Sequence, residues 1–220
     1  MQEHEKVDWS AFHTVEEMRQ LSNLGHWIEG GLFVFIGVVA LLQVTGVVKE
    51  SRVIWQSVVL VAGLFLIGYL LLHHGLNNVS TIWPMLLKDS QQRQHLVIAG
   101  LLSMAGLFQI VSRVKGIYVL QYGWPLALVL VGILFLLHEQ HGTSAAVEWA
   151  QRIHRYLGIL LILASITFTL DILFHHQRRW VASACPILII LCGIFLILYR
   201  EPTGSFEEQN RNIPHHRSSR

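Results

Sequence analysis

Residues 180–199, WVASACPILIILCGIFLILY, contain no charged side chain over twenty consecutive positions. A helix of about 20 predominantly apolar residues crosses the hydrocarbon core of a bilayer. This stretch, Trp180 to Tyr199, therefore predicts a membrane-spanning helix. Five further runs have the same character: Trp27 to Val48, Val53 to Leu72, Leu96 to Val111, Ile117 to Leu137 and Tyr156 to Phe174.

The composition agrees with this interpretation. Hydrophobic residues make up 53% of the 220 positions and charged residues only 14%, with a mean hydropathy of +0.48. Soluble domains carry about 25% charged residues. We therefore expect an all-α polytopic membrane helix bundle of about six transmembrane helices over residues 25–200. A polar amino-terminal segment (1–24) and a polar carboxy-terminal tail (201–220) flank it.

Charge and the first residues exclude two classes of protein. The net charge of +2, with the basic residues in links and tails, does not form the basic surface of a nucleic-acid-binding protein. The acidic amino terminus is also unlike a secretory signal. Instead, Thr14 and Glu17 have the spacing of a capping box. With helical spacing of apolar residues around them, they predict a short interfacial helix within residues 1–24.

The links between the six runs alternate in length, and the sequence around the long links is repeated. Gln92-Arg93-Gln94-His95 opens the third span and Gln151-Arg152-Ile153-His154 opens the fifth. Leu72-His73-His74-Gly75 likewise resembles the segment from Leu137 to Gly142. This pattern predicts three helical hairpins built from one repeated two-helix unit, the third lacking its closing histidines.

Histidines are concentrated on one side of the predicted membrane domain. If successive spans alternate in direction, the starts of the odd spans and the ends of the second and fourth spans share one side. Glu29 lies there too, inside an apolar run, where a carboxylate is costly unless it is paired, protonated or bound to a cation. The predicted metal-ligating residues are His26, Glu29, His73, His74, His95, His138, His141 and His154.

Imidazole ligands suit copper, zinc, iron and nickel. The chain has four methionines and no Met-x-x-Met array, which argues against a thioether site for Cu(I). The histidines instead favour Cu(II), or a mixed or transient Cu(I) site. We expect a transition-metal cofactor or cargo, with copper favoured.

The segment from Phe135 to Thr143, followed by His154 and Gly158, resembles the histidine-ended spans of bacterial copper-resistance membrane proteins of the CopD type. The resemblance covers the fourth and fifth spans. It implies copper binding, transfer or transport at a bacterial inner membrane. A periplasmic metal carrier or other membrane subunits would then be partners, beside the lipid bilayer and the metal ion.

Other functions remain open at this stage. Imidazoles from two helices at one depth could hold haem b, as in a b-type cytochrome or a quinone-linked electron carrier. His138-x-x-His141 and the His73-His74 doublet have features of a histidine-box, metal-dependent membrane oxygenase. A structural subunit of a larger complex needs no metal.

The orientation follows from span number and charge. An even number of spans places both termini on the histidine side. The three tight links carry six basic residues against one acid, and positive charge in short links favours the cytoplasm. We therefore expect the histidine face and both termini to lie outward.

Overall fold

The computed structural model describes residues 14–48, 53–73, 83–84, 87–138, 143–174 and 179–205. Over these residues the chain is all-α, as the sequence predicts, and a short 3₁₀ segment (Tyr118–Tyr122) precedes α4. The long helices are α1 (Val15–Val44), α2 (Ile54–His73), α3 (Ser90–Lys115), α4 (Gly123–Leu136), α5 (Ser144–Leu173) and α6 (Arg179–Leu198).

Six segments of the described chain are long and apolar enough to cross a lipid bilayer. Five of them coincide with or lie within the long helices, and the sixth joins the 3₁₀ segment to α4 to reach the required length. This is the architecture of an integral membrane protein. The prediction of a polytopic helix bundle is confirmed.

The start of α1 differs from the sequence-based expectation. The capping box is formed, with Glu17 N–H donating to Thr14 Oγ1 and Thr14 N–H donating to Glu17 Oε2. The helix that it begins continues to Val44 without a break, so between residue 14 and the first span the structure has no separate interfacial helix. Gly25 lies at the junction, and its lack of a Cβ atom leaves room for the Tyr69 ring, which would lie 3.3 Å from a Cβ added there.

Two other helices extend beyond the apolar runs that predicted them. Asp89 caps α3 by accepting from Gln92 N–H, which brings His95 inside the helix. Helix α5 begins at Ser144, well before Tyr156, and an exposed Arg152–Glu148 ion pair one turn apart lies on its first turns. Polar helical turns therefore replace much of the expected link between the fourth and fifth spans.

The six helices form a closed ring. Each helix contacts the next one along the chain, and α6 returns to contact α1. The most extensive contacts join α1 to α6, α2 to α3 and α4 to α5. Two of these pairs are connected by the long links, and the third pairs the first helix with the last. Apolar side chains fill the centre, and many large apolar side chains remain exposed on the outer surface, where lipid would lie.

Both ends of the described chain meet at one end of the ring. Ser22 Oγ, near the start of α1, donates to Glu201 Oε2 at 2.8 Å, and Glu201 N–H donates to Asn23 Oδ1 at 2.7 Å. Thr143 N–H, at the start of α5, donates to the Gly204 carbonyl at 3.1 Å. The described ends therefore lie on the same side, which is also the side of the predicted histidine cluster.

Candidate metal centre

Four of the predicted histidines come together at this end of the ring. The ring centroids of His138 and His154 lie 4.4 Å apart, those of His95 and His138 5.4 Å apart, and those of His26 and His154 6.2 Å apart. They come from the amino-terminal halves of α1, α3 and α5 and from His138, two residues beyond the end of α4. We call these four residues the histidine row, because each ring neighbours at most two of the other rings in these contacts.

The middle of the row is the most deeply buried part. His154 is 2% exposed and His138 5% exposed, whereas His26 and His95 are partly exposed. The Phe135 ring lies nearly parallel to that of His154 at 5.5 Å. Two imidazoles in contact inside an apolar bundle are costly to charge, so the neutral rings that bind metal ions are the favoured state.

Hydrogen bonds fix the tautomers of two histidines. His138 Nδ1 lies 2.6 Å from Gln94 Oε1, and the Gln94 amide nitrogen donates to the Leu137 carbonyl. Because this amide is oriented with its oxygen towards His138, Nδ1 is the donor nitrogen. His26 Nδ1 likewise donates to the Ser22 carbonyl at 2.7 Å. In both rings Nε2 is therefore the nitrogen that carries the lone pair.

Glu29 lies one turn deeper and faces the interior of the ring. Gly25 faces α2, where it meets Tyr69, and Gly30 faces α6, where it meets Gly193. The helical position of Glu29 falls between these two directions, in line with the buried core residue Phe33. Glu29 is partly buried, and its carboxylate lies close enough to Tyr69 for an electrostatic interaction.

A small cavity lies beside the row. It has a volume of 190 Å³ and is lined by Phe135, Leu136, Leu137, His138, Gln151 and Arg155. Gln151 and Arg155 are polar residues of the extended first turns of α5. The cavity thus gives polar surroundings to one side of the otherwise buried His138.

The structure leaves three predicted ligands without a described side chain. His74 and His141 lie outside the described residues, and His73 ends α2 with a side chain that is not described. As they stand, no three His, Cys, Asp or Glu side chains of the described residues are arranged to hold one metal ion.

Sequence reasoning missed two residues of this site. Tyr199 follows α6, is 4% exposed, and places its ring 4.6 Å from His26 and 6.3 Å from His154. Gln94 orients His138. The signal for Gln94 was its position beside His95 in the repeated segment, and the signal for Tyr199 was its depth at the end of the last span.

Neither a known family model, nor a curated protein, nor a solved structure matches this chain.

Proposed function

We propose that this integral membrane protein binds a transition-metal ion, with copper favoured, at the histidine row and passes it on at one membrane surface. The observation that carries the proposal is the pair of oriented imidazoles. A metal-binding histidine usually donates its other ring N–H to a fixed acceptor. His26 and His138 both do this, through the Ser22 carbonyl and Gln94 Oε1.

The spacing of the rings supports shared ligation by pairs. With a metal–nitrogen distance of about 2.1 Å, two imidazoles on one ion have centroids about 5 to 6 Å apart. The His95–His138 distance of 5.4 Å falls in this range, the His26–His154 distance of 6.2 Å lies slightly above it, and the His138–His154 distance of 4.4 Å lies somewhat below it. A row of overlapping pairs favours an ion that accepts few ligands and moves between them, as transient Cu(I) would.

Glu29 supports a cation near the row. A carboxylate directed into an apolar helix ring is costly unless a proton or a cation accompanies it. Beyond Glu29 the interior is filled by buried residues such as Phe33, Ile36 and Val59. Binding and handover at the histidine surface therefore fit this conformation better than an open path across the membrane.

The resemblance to CopD-type copper-resistance membrane proteins favours copper among the metals that imidazole accepts. We propose a bacterial inner membrane as the location. The histidine surface would face outward, because the basic tight links lie at the other end of the bundle. A periplasmic metal carrier would be the matching partner at that surface.

Haem b is the second candidate, because the 6.2 Å separation of His26 and His154 also suits two axial imidazoles. Aromatic rings crowd that pair, however. Tyr199 lies 4.6 Å from His26, and Phe135 stacks on His154 at 5.5 Å. A porphyrin between the two imidazoles would have to displace these side chains, so a single ion fits better.

Metal analysis and visible absorbance of the protein purified from its membrane test this proposal. Copper bound in proportion to protein, with no Soret absorbance, supports it. A Soret band from bound haem would favour the electron carrier. A wild-type protein that takes up neither copper nor haem after reconstitution would overturn both.

A further inference from the structure

Three helix pairs in the ring meet through small residues at corresponding positions. A Cβ atom added at Gly30 of α1 would lie 2.6 Å from the Gly193 carbonyl oxygen of α6, and one at Gly132 of α4 would lie 2.8 Å from the Gly158 carbonyl oxygen of α5. One at Gly63 of α2 would lie 2.7 Å from the Ala99 carbonyl oxygen of α3. Each pair joins an even-numbered helix to an odd-numbered one at a point where their backbones are in close contact.

Histidines and tyrosines lie at fixed distances along the chain from these contacts. Four residues before the small residue of each odd helix lies a histidine, and six residues after the glycine of each even helix lies a tyrosine or histidine. The first set is His26, His95 and His154. The second set is Tyr69, His138 and Tyr199.

Tyr199 and His138 also have matching neighbours. His138 lies 4.4 Å from His154 on its paired helix and 5.4 Å from His95 on the helix at its other side. Tyr199 lies 4.6 Å from His26 on its paired helix and 6.3 Å from His154 on the helix at its other side. Each ring is thus placed between the histidines of two odd helices.

Tyr69 follows the same rule at the third position. Its Cε1 atom lies 3.3 Å from a Cβ added at Gly25, the residue before His26. His138 likewise contacts the residue before a histidine, Gln94, although through a hydrogen bond from its ring. The Tyr69 hydroxyl donates instead to the Leu21 carbonyl at 2.9 Å.

A second level of contacts, two turns deeper, preserves the correspondence in two of the pairs. Gly37 lies seven residues after Gly30, and a Cβ atom there would be 2.8 Å from the Pro186 carbonyl oxygen. Ser165 lies seven residues after Gly158, and its Oγ donates to the Pro125 carbonyl at 2.7 Å. Pro186 and Pro125 each lie seven residues before the glycine of their helix.

We propose that the ring consists of three copies of one two-helix unit, and that Tyr69 and Tyr199 occupy in two copies the position that His138 occupies in the third. The site is then six side chains, three histidines alternating with Tyr69, His138 and Tyr199, rather than histidines alone. This register differs from that suggested by the sequence, in which His73 corresponds to His138.

The chemistry of Tyr199 suits such a position. Its hydroxyl oxygen is fully buried, with the Glu201 carboxylate close enough to interact with it. A buried hydroxyl is stabilised by a hydrogen-bond acceptor. A phenol at this place can donate to a water or anion on the bound ion, or supply an oxygen ligand. The role as a metal-site residue depends on the proposed function, whereas the equivalence of the positions does not.

Exchange of the His138 and Tyr199 side chains tests whether the two positions are equivalent. The variants are His138→Tyr alone and His138→Tyr combined with Tyr199→His, each titrated with copper ion in competition with a chelator. His138→Tyr should weaken copper binding by about tenfold or more. The double variant should recover most of that loss, because histidine returns to an equivalent position.

The matched control combines His138→Tyr with Tyr156→His. Tyr156 is 51% exposed on α5, two residues after His154, and therefore adds a histidine nearby but outside the ring interior. This control should bind copper no better than His138→Tyr alone. Equal affinities for the exchange variant and the control, with both folded as wild type, would overturn the proposal.

If wild-type protein binds no copper, the metal function is refuted. The equivalence of the His138 and Tyr199 positions can then still be tested by thermal unfolding. In metal-free protein, the exchange variant should unfold at a higher temperature than the control, because each moved ring finds equivalent neighbours. If the two unfold at the same temperature, the positions are not equivalent.

Discussion

His138 and His154 face one another with ring centroids 4.4 Å apart, close to the point where Gly132 and Gly158 bring α4 and α5 into backbone contact. The two observations are connected. Small residues in membrane helices allow close approach of their backbones. Because these glycines lie only four and six residues from the two imidazoles, the helix contact sets the distance between the rings.

Gly158→Ala should therefore disturb both stability and metal binding. The new Cβ would lie 2.7 Å from the Gly132 carbonyl oxygen, so the helices must separate. Overpacking of this kind costs about 1 to 3 kcal/mol. Thermal unfolding in detergent and copper titration measure the two effects.

Gly100→Ala is the matched control, because a Cβ added there meets nothing within 4 Å. Alanine is the better helix former by roughly 0.5 to 1 kcal/mol, so this variant should be as stable as wild type or slightly more stable. Equal behaviour of the two alanine variants would contradict the role given to the α4–α5 contact.

Loss of a histidine of the row should remove metal. His138→Ala and His95→Ala are expected to lower the metal bound per protein, because each removes a nitrogen from one or two of the ring pairs. His176→Ala should leave the metal content unchanged, because His176 comes after the end of α5, whereas the row residue of that helix, His154, lies in its amino-terminal half. Retention of full metal content by both row variants would show that these imidazoles only pack.

Gln94 should act through the orientation of His138. Gln94→Leu removes the acceptor for Nδ1–H, and loss of such an outer partner typically weakens metal affinity by about 10- to 100-fold. Gln94→Glu keeps an oxygen acceptor at the same length and should retain most of the affinity. A leucine variant with wild-type affinity would mean that the His138 tautomer is not held by this bond.

Substitutions of Glu29 should change copper binding and protein stability in different ways. In the other two proposed units the residue three positions after the histidine is Ile98 or Leu157, both buried apolar residues. Glu29→Leu should therefore be at least as stable as wild type, because it removes a costly carboxylate from the interior. Its copper content, and that of Glu29→Gln, should be lower if the carboxylate accompanies the ion. Unchanged copper with lower stability would assign Glu29 a structural role.

Much of the fold was predictable because hydrophobicity and length alone decide which segments can cross a bilayer. The same reasoning placed His26, His95, His138 and His154 on one side, since alternating helix directions are enough to do so. The ring order was not predictable, because it depends on which small residues meet, and a glycine such as Gly30 does not reveal that its partner is Gly193. Tyr199 was missed for the same reason.

Copper affinity should decrease towards acidic pH, because protons compete with the ion for imidazole nitrogen, and burial of His138 and His154 should shift that competition to lower pH than for an exposed histidine. Copper titrations at several pH values and constant ionic strength measure this affinity. Affinity that ignores pH would point to ligands other than histidine.

The most direct test of the account is the copper content of wild-type protein purified from membranes and reconstituted with copper ion, measured together with His138→Ala. The account predicts copper bound in proportion to wild-type protein, without Soret absorbance, and a clear loss of that copper in His138→Ala. Wild-type protein that binds no copper, or a His138→Ala variant that binds as much as wild type, would contradict it.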